Sequence, residues 1–451
     1  MSWEKVKLGD ILTESKIISE YPNPDRRITV RLKVLGVQKR GLENEVEGAT
    51  KQYIRKAGQF IYGKQNFHKG AFGIVPQELD EYESSSDLPA FDIEKSCLPE
   101  FLFYYFKQGN FYLELAKIAS GVATQRINTT QLFELEIALP GIPVQRQLIL
   151  NIQILENKGS KLSKELIHQL SLVKKLRQQF LQDAVQGKLV EQNPKDEPAS
   201  ELLKRIKAEK LKLISEKKLK INKELLPIKK EEIPFEIPEG WVWCKLGEII
   251  SFGPSNGFSP KESKLGIGIK CLTLTATTSG IFKEQFYKLV DEQISQNSYL
   301  WLESGDILIQ RGNSIDYVGI AALYEGESHN FIFPDLMIKI RFPELINTKF
   351  IHQVLISPPT RKYYADKAFG AQKSMPKINQ PVVLNTLIPL PPLSEQHRIV
   401  EKLEELMQNC DELEGSIKQS VSQNEKLLQQ VLREALRKEV VKEEAEKVAL
   451  G

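Results

Sequence analysis

The chain repeats itself, and this limits what it can fold into more than any single motif does. Ile127-Asn128 recurs as Ile378-Asn379, Leu139-Pro140 as Leu390-Pro391, and Gln145 as Gln396, all at an offset of 251 residues. Leu176 to Leu181 matches Leu427 to Leu432 at the same offset, so no insertion separates these landmarks. An earlier pair, Trp3 with Lys7-Leu8-Gly9 and Trp241 with Lys245-Leu246-Gly247, stands at an offset of 238. With 451 residues there is room for about three domains, and each copy can bury its own core. A duplicated unit usually faces something with two-fold character, so two similar lobes suggest a ligand read in two places.

The first copy, over 1–142, reads as a mixed lobe of helix and strand. From Arg27 to Lys33 apolar and polar residues alternate, which predicts a half-buried strand with Arg27, Arg31 and Lys33 on its outer face. Phe60-Ile61-Tyr62 and Ala71 to Val75 read as further strands, and Pro99 opens an aromatic-rich helix over Glu100 to Phe106. The second lobe, 239–391, follows the same order. Gly305 to Ile309 answers Gly58 to Tyr62, Val318 to Ala321 answers Phe72 to Val75, Asp335 to Ile340 is a strand, and Thr348 to Ile356 answers the helix.

Each lobe ends in Leu-Pro and then a long helix. Stepping by 4 and 3 from Leu148 gives Leu148, Ile152, Leu155, Gly159, Leu162, Leu166, Gln169, Val173, Leu176 and Phe180, eight of ten apolar. Adding the repeat offset gives Ile399, Leu403, Leu406, Cys410, Leu413, Ile417, Ser420, Asn424, Leu427 and Val431, again eight of ten. Both copies therefore carry a coiled-coil seam, on a rod of roughly 65 Å. Because a whole lobe separates the helices, an antiparallel intramolecular pair is the simplest arrangement. The expected fold is α+β: two pseudo-repeated globular lobes joined by two long helices packed as an antiparallel coiled coil. The expected segments are 1–142, a first helix at 143–190, a Lys/Pro-rich linker at 191–238 with a helix over Ala199 to Lys220, a second lobe at 239–391, and a second helix and tail at 392–446.

Several chemistries lack their residues. The scattered cysteines, Cys97, Cys244, Cys271 and Cys410, have no CxxC spacing and read as reduced, mostly buried thiols. Gly58 to Lys64 mimics a phosphate-binding loop, but Gln65 follows where Ser or Thr should ligate magnesium, and Phe60-Ile61-Tyr62 reads as a strand. The histidines fit no triad or metal spacing, and no amino-methyltransferase or nuclease motif is present. A binding protein without catalysis or cofactor of its own is expected. No apolar run is long enough to span a membrane and Met1 to Lys5 is no signal peptide, so the expected location is the cytoplasm. Net charge is only +3, with 20 basic against 14 acidic side chains over 141–240, so any nucleic acid must be held by local basic faces.

The string Pro391-Pro392-Leu393-Ser394-Glu395-Gln396-His397-Arg398-Ile399-Val400 lies behind Met375-Pro376-Lys377-Ile378-Asn379 and ahead of a long helix. In that setting it resembles the specificity subunit of type I restriction-modification enzymes. The first copy is a degenerate version, Thr124-Gln125-Arg126-Ile127-Asn128 followed by Leu139-Pro140-Gly141-Ile142-Pro143-Val144-Gln145-Arg146, with Gly141 and Val144 in place of Pro392 and Glu395. The resemblance covers essentially the whole chain. It implies that each lobe is a target recognition domain reading one half of a bipartite, asymmetric double-stranded DNA sequence, with the paired helices setting the unread spacer. It further implies two methyltransferase subunits and two restriction subunits as partners, which bring S-adenosylmethionine, ATP and magnesium. The contrasting possibility is a scaffold that dimerises other proteins through its coiled coil and ignores DNA.

Candidate DNA contacts are read residue by residue. Lys64, Gln65 and Asn66 occupy a loop equivalent to that of Arg311 and Asn313. Arg can fork onto guanine, and Asn or Gln onto adenine. Thr124-Gln125-Arg126 and Gln372-Lys373-Ser374, with Lys377 beyond, read as phosphate-positioning loops. Arg27, Arg31 and Lys33 complete the set, while Tyr53, Tyr62 and Tyr317 are candidates to buttress a displaced base.

Overall fold

A computed structural model of the chain describes residues 3–41, 51–120, 125–216, 225–369 and 376–437. Contacts divide the chain into two units, 1–169 with 416–451, and 170–415. In the first unit a four-stranded antiparallel sheet runs in the order Leu12–Ser15, Ala90–Ile93, Phe60–Tyr62, Phe72–Ile74. In the second, the order is Phe252–Asn256, Met337–Arg341, Ile307–Gln310, Ala321–Leu323. The topology is the same, so the duplication extends beyond the motifs that reveal it.

Phe60–Tyr62 and the first three residues of Ile307–Gln310 are apolar because both faces of these inner strands are covered. Phe60 and Tyr62 pack into one core, and Ile61, pointing the other way, packs into a second. In the second unit Ile307 and Ile309 face one core while Leu308 faces another. The helix Pro99–Lys107 lays Phe101, Leu102, Tyr104 and Phe106 on the first sheet. Thr348–Ile356 lays Phe350, Ile351, Val354 and Leu355 on the second.

The opening motif of each lobe closes onto the lobe's last strand. Glu4–Lys7 pairs with Glu136–Leu139, and Val242–Lys245 with Leu387–Leu390, both antiparallel. A short helix follows at once, Leu8–Ile11 and Leu246–Ile249. Its glycine lies against a neighbouring chain segment: a Cβ on Gly247 would come within 2.9 Å of the Leu384 side chain, and one on Gly9 within 3.1 Å of Phe133. Steric space explains why glycine occurs in both copies of this motif.

Two strand expectations are corrected. The strand at Arg27 stops early, spanning only Ile28–Val30. Lys33 and Val34 take left-handed backbone, their amides donate to the carbonyls of Lys69 and Gly70, and Leu32 is exposed. The alternation was genuine for one turn of pleat and accidental beyond it. In the second lobe, the partner of Ile307–Gln310 is Ala321–Leu323 rather than Val318 to Ala321, with Ile309 opposite Ala321 as Tyr62 is opposite Phe72. A longer turn precedes the strand there, and an apolar run alone does not show where pairing begins.

The long helices are Ile142–Val185 and Leu393–Arg437. They pack antiparallel within each unit: Ile152 meets Leu432 and Leu436 in the first, and Leu181, Ala184 and Val185 meet Ile399, Val400 and Leu403 in the second. At two of the ten expected positions on each helix the seam lies one residue further along. Leu162 and Leu413 are 48% and 47% exposed, whereas Ser163 and Glu414 turn inward; Leu176 and Leu427 likewise yield to Arg177 and Leu428. Positions three and four residues along a helix both adjoin the same stripe, so a pattern of leucines cannot tell which flank the partner covers. Cross-helix polar contacts decide it. Asn424 Nδ2 donates to Gly159 O at 3.0 Å and to Ser163 Oγ at 2.9 Å. Arg177 Nη2 reaches Asp411 at 2.7 Å and Glu414 at 3.1 Å, and its Nη1 donates to Met407 O at 3.3 Å.

Each lobe is tied to its helix by the repeated glutamine. Gln145, fully buried, accepts from Leu98 N at 2.7 Å and donates to Pro140 O at 2.7 Å and Ser96 O at 2.8 Å. Gln396, also fully buried, accepts from Asn347 N at 2.9 Å and donates to Pro391 O at 3.0 Å. Leu98 and Asn347 are the residues at which the two sheet-covering helices begin. One amide thus joins the carbonyl before the long helix to the first turn of the lobe helix. In the second unit Glu395 adds the linker, accepting from Gln192 Nε2 at 2.6 Å and Trp241 Nε1 at 3.0 Å.

The linker helix runs Ala199–Ser215, buries Ala199, Leu202, Leu203 and Ile206, and pairs Lys207 with Glu248 at 2.6 Å. Its expected end at Lys220 lies outside the described residues. All four cysteines are buried and free. No helix among the described residues is long and apolar enough to cross a membrane.

Two outcomes are expected from denaturant titration. Gln145→Ala and Gln396→Ala should each cost about 1–3 kcal/mol, since each strands a buried amide and carbonyl. Leu166→Ala, at a position 8% exposed, should cost about 2–5 kcal/mol, and Leu162→Ala distinctly less. Equal losses at Leu162 and Leu166 would restore the seam read from the leucines.

Candidate nucleic-acid interface

The loop that follows the central strand has the same backbone anchor in both lobes. After Tyr62, the Gly63 amide donates to Ala71 O, and the Lys64 carbonyl accepts from Ile127 N at 2.9 Å. After Ile309, the Gln310 amide donates to Ile320 O, and the Arg311 carbonyl accepts from Ile378 N at 2.8 Å. Lys64 and Arg311 are therefore structural equivalents, each hooked to the isoleucine of the Ile-Asn repeat. The asparagine beside each isoleucine starts a short helix: Asn128 Oδ1 accepts from Gln131 N at 2.9 Å, and Asn379 Oδ1 from Val382 N at 3.0 Å. Those caps fix the chain direction behind both loops.

A second loop in each lobe meets the first. Ser120 and Arg126 exchange backbone hydrogen bonds of 2.9 and 2.8 Å, and Phe369 and Lys377 exchange bonds of 2.9 and 2.8 Å, forming two-stranded necks. Thr124, Gln372, Lys373 and Ser374 belong to these loops by sequence and lie outside the described residues. Gln125 and Arg126 are exposed, and Arg126 stands 3.8 Å from Asp87, whose carbonyl accepts from Lys64 N. Lys377 bridges to Gly312 and lays its stem on that glycine, where a Cβ would meet Lys377 Cγ at 3.1 Å. The structure thus brings Lys64, Gln65, Asn66, Gln125 and Arg126 to one place in the first lobe, and Arg311, Asn313 and Lys377 to the corresponding place in the second. Among the described residues, the side chains of Lys64, Arg311 and Lys377 have no hydrogen-bonded or ion-paired partner.

The remaining candidates divide. Arg27, half-buried, begins the strand Ile28–Val30, Arg31 is exposed at its end, and Lys33 sits on the left-handed turn rather than on a strand face. Through Lys69 O, that turn abuts the segment following Asn66. Tyr62 does not buttress anything outside: it is fully buried and its hydroxyl donates to Ile127 O at 3.0 Å, so burial holds its pKa above the usual tyrosine value. Tyr53 is half-buried in a strand, while Tyr317 is exposed. Asn313 faces inward on both sides, its Nδ2 donating to Gln310 Oε1 at 2.7 Å and its Oδ1 accepting from Ser314 N at 2.8 Å.

Two residues that support the second loop were not singled out from sequence. Gln310 is one. The other is Arg361, whose Nη1 donates to Val318 O at 2.5 Å and Nη2 to Asp316 O at 2.9 Å; burial lowers its pKa. A polar residue ending an apolar strand was the available signal for Gln310. Arg361, on the separate helix Pro358–Lys367, left none.

The two lobes share one topology, and each carries a basic loop on its Ile-Asn motif and a glutamine tie to a long helix. Residues 238–423 match the family described as the type I restriction modification DNA specificity domain. The EcoEI type I restriction enzyme specificity subunit of Escherichia coli is 34% identical over 249 residues, which is 54% of this chain and 42% of that relative. The chain thus spans well under two thirds of that relative's length. A solved structure titled for complex assembly and conformational transition of the type I R-M system aligns over 97% of this chain and 98% of its own, with TM-score 0.58 and 17% identity. The HsdS subunit from Thermoanaerobacter tengcongensis aligns over 97% of both chains, with TM-score 0.54 and 16% identity. The resemblance to type I specificity subunits read from the motifs therefore holds, and over 238–423 it is a match to the family domain itself.

Tyr62→Phe separates packing from contact. Loss of its hydroxyl should cost about 0.5–1.5 kcal/mol in thermal or chemical unfolding. Base preference in a DNA-selection assay should stay as it was; a changed preference would return Tyr62 to the interface.

Proposed function

We propose that the chain is the non-catalytic sequence-reading subunit of a type I restriction-modification complex, and that its two lobes read the two halves of a bipartite, asymmetric duplex target. The observation that carries this reading is the equivalent seating of Lys64 and Arg311, basic side chains presented at one structural position by two lobes of different sequence. Equivalent positions give each lobe the same approach to a duplex, while divergent side chains let the half-sites differ. On this reading the recognition domains are 1–142 and 239–391, and the helices beyond them set the unread spacer between half-sites. Arg126 and Lys377 bind phosphates and fix register, and Lys64, Gln65, Asn66 and Arg311 meet base edges. Two methyltransferase and two restriction subunits supply the chemistry, with S-adenosylmethionine, ATP and magnesium bound on those partners.

Footprinting of the complex formed with the methyltransferase subunit tests the reading. Two protected patches on one duplex are expected; one continuous patch, or equal protection of every sequence, would defeat it. Arg311→Ala should relax one half-site by about 1–3 kcal/mol, measured by competition binding, and leave the other alone. A loss shared by all sequences would make Arg311 a phosphate contact. Removing Leu162 to His168 together with Leu413 to Gln419 should shorten the helix pair by roughly 10 Å. Methylation mapping should then report a shorter spacer between unchanged half-sites.

A further inference from the structure

The two reading loops differ in what stands behind them. In the first lobe the residue before Lys64 is Gly63, which has no side chain. In the second lobe the structurally equivalent residue is Gln310, which is fully buried and bonded at both ends of its amide. Gln310 Nε2 lies 2.8 Å from Leu274 O, 3.0 Å from Thr277 Oγ1 and 3.1 Å from Thr278 Oγ1, all on a segment beside the 3-10 turn Leu274–Ala276. Its Oε1 accepts from Asn313 Nδ2 at 2.7 Å, and Asn313 Oδ1 in turn accepts from Ser314 N at 2.8 Å. The Asn313 amide also donates to Pro376 O at 3.4 Å, next to Lys377. Further along the same loop, Arg361 holds the carbonyls of Asp316 and Val318. A continuous polar chain therefore runs from the buried Thr277 through Gln310 to the backbone on either side of Arg311.

A hydrogen-bonded amide in a water-poor interior is costly to rearrange, because each lost partner leaves a buried polar atom unsatisfied. The loop bearing Arg311 is thereby held in one shape before any ligand arrives. A long arginine discriminates between bases only if its Cα is fixed. A mobile one finds an acceptor on any base pair or on a phosphate. Lys64 is held by backbone bonds alone, its N–H on Asp87 O and its carbonyl on Ile127 N, and Gly63 puts no side-chain network behind it.

We infer that Gln310, acting through Asn313, is a positioning residue for specificity: it preorganises Arg311 and makes the half-site read by the second lobe the more stringently discriminated of the two. The inference rests on the recognition reading proposed above and goes beyond it by naming a residue that meets no base.

The test is selection from a duplex library, with both half-sites randomised in turn, by the full chain in complex with its methyltransferase subunit. The unsubstituted chain, Gln310→Leu, Asn313→Asp and Arg311→Ala are compared, each with its melting temperature. Gln310→Leu should lower base discrimination about tenfold at the half-site that Arg311→Ala relaxes, with no change at the other. Asn313→Asp keeps the acceptor for Ser314 N and loses the donor to Gln310, so it should do the same if Gln310→Leu fails to fold. Unchanged discrimination, or weakening spread evenly over both half-sites and all sequences, would overturn the inference and leave Gln310 a stabilising residue only. If Arg311→Ala relaxes neither half-site, Arg311 reads no base and the inference falls, while the recognition reading stands or falls on the two-patch footprint. If Arg311→Ala relaxes one half-site and the other variants leave it intact, only the inference falls.

Discussion

Much of this architecture depends on one side-chain amide used twice. Gln145 and Gln396 each place both ends of a buried amide between a prolyl carbonyl and the first turn of a helix that covers a sheet. Rotating the long helix relative to its lobe would break both bonds at once in a fully buried site, so the amide sets angle as well as contact. Apolar packing alone tolerates small rotations and offers no such check. The glutamine explains why the repeat is most legible around Leu-Pro and the residues that follow. There the backbone must arrive at one place in one orientation, and few residue types allow it.

The lobes are built on the same sheet and diverge where side chains leave it. Their central strands are sandwiched between two cores, which fixes the strand ends and the first residue of the following loop. From that shared starting point the first lobe turns through Gly63 and the second through Gln310. Common backbone with different loop chemistry is consistent with the proposal that the two lobes read different half-sites. It also places variation in loops, away from residues that carry the sheet.

How much of this was legible follows from which forces act locally. The offset repeat, the central strands, the aromatic helix and the long helices were all readable, because periodicity and apolar content record burial directly. The strand past Val30 was not, since two left-handed residues, Lys33 and Val34, are held by carbonyls of Lys69 and Gly70 far away in sequence. The flank of the coiled-coil seam was hidden because Ser163 and Arg177 face inward only in answer to Asn424, Asp411 and Glu414 on the other helix. Among the candidate contacts, the pairing of Lys64 with Arg311 was visible from the aligned repeats. The inward role of Asn313 was not, as it depends on a glutamine whose own partners lie some thirty residues earlier.

The polar contacts inside the helix pair have one more implication. Asn424 is spent on Gly159 and Ser163, and Arg177 on Asp411 and Glu414. These act as graduation marks, since sliding one helix past the other would leave an amide or a guanidinium beside leucines. Insertions or losses in one helix alone would misalign the marks, whereas equal changes in both keep them matched. Drift in length is therefore confined to coordinated, whole-heptad steps, and any family of variants that alters this dimension should do so in discrete increments.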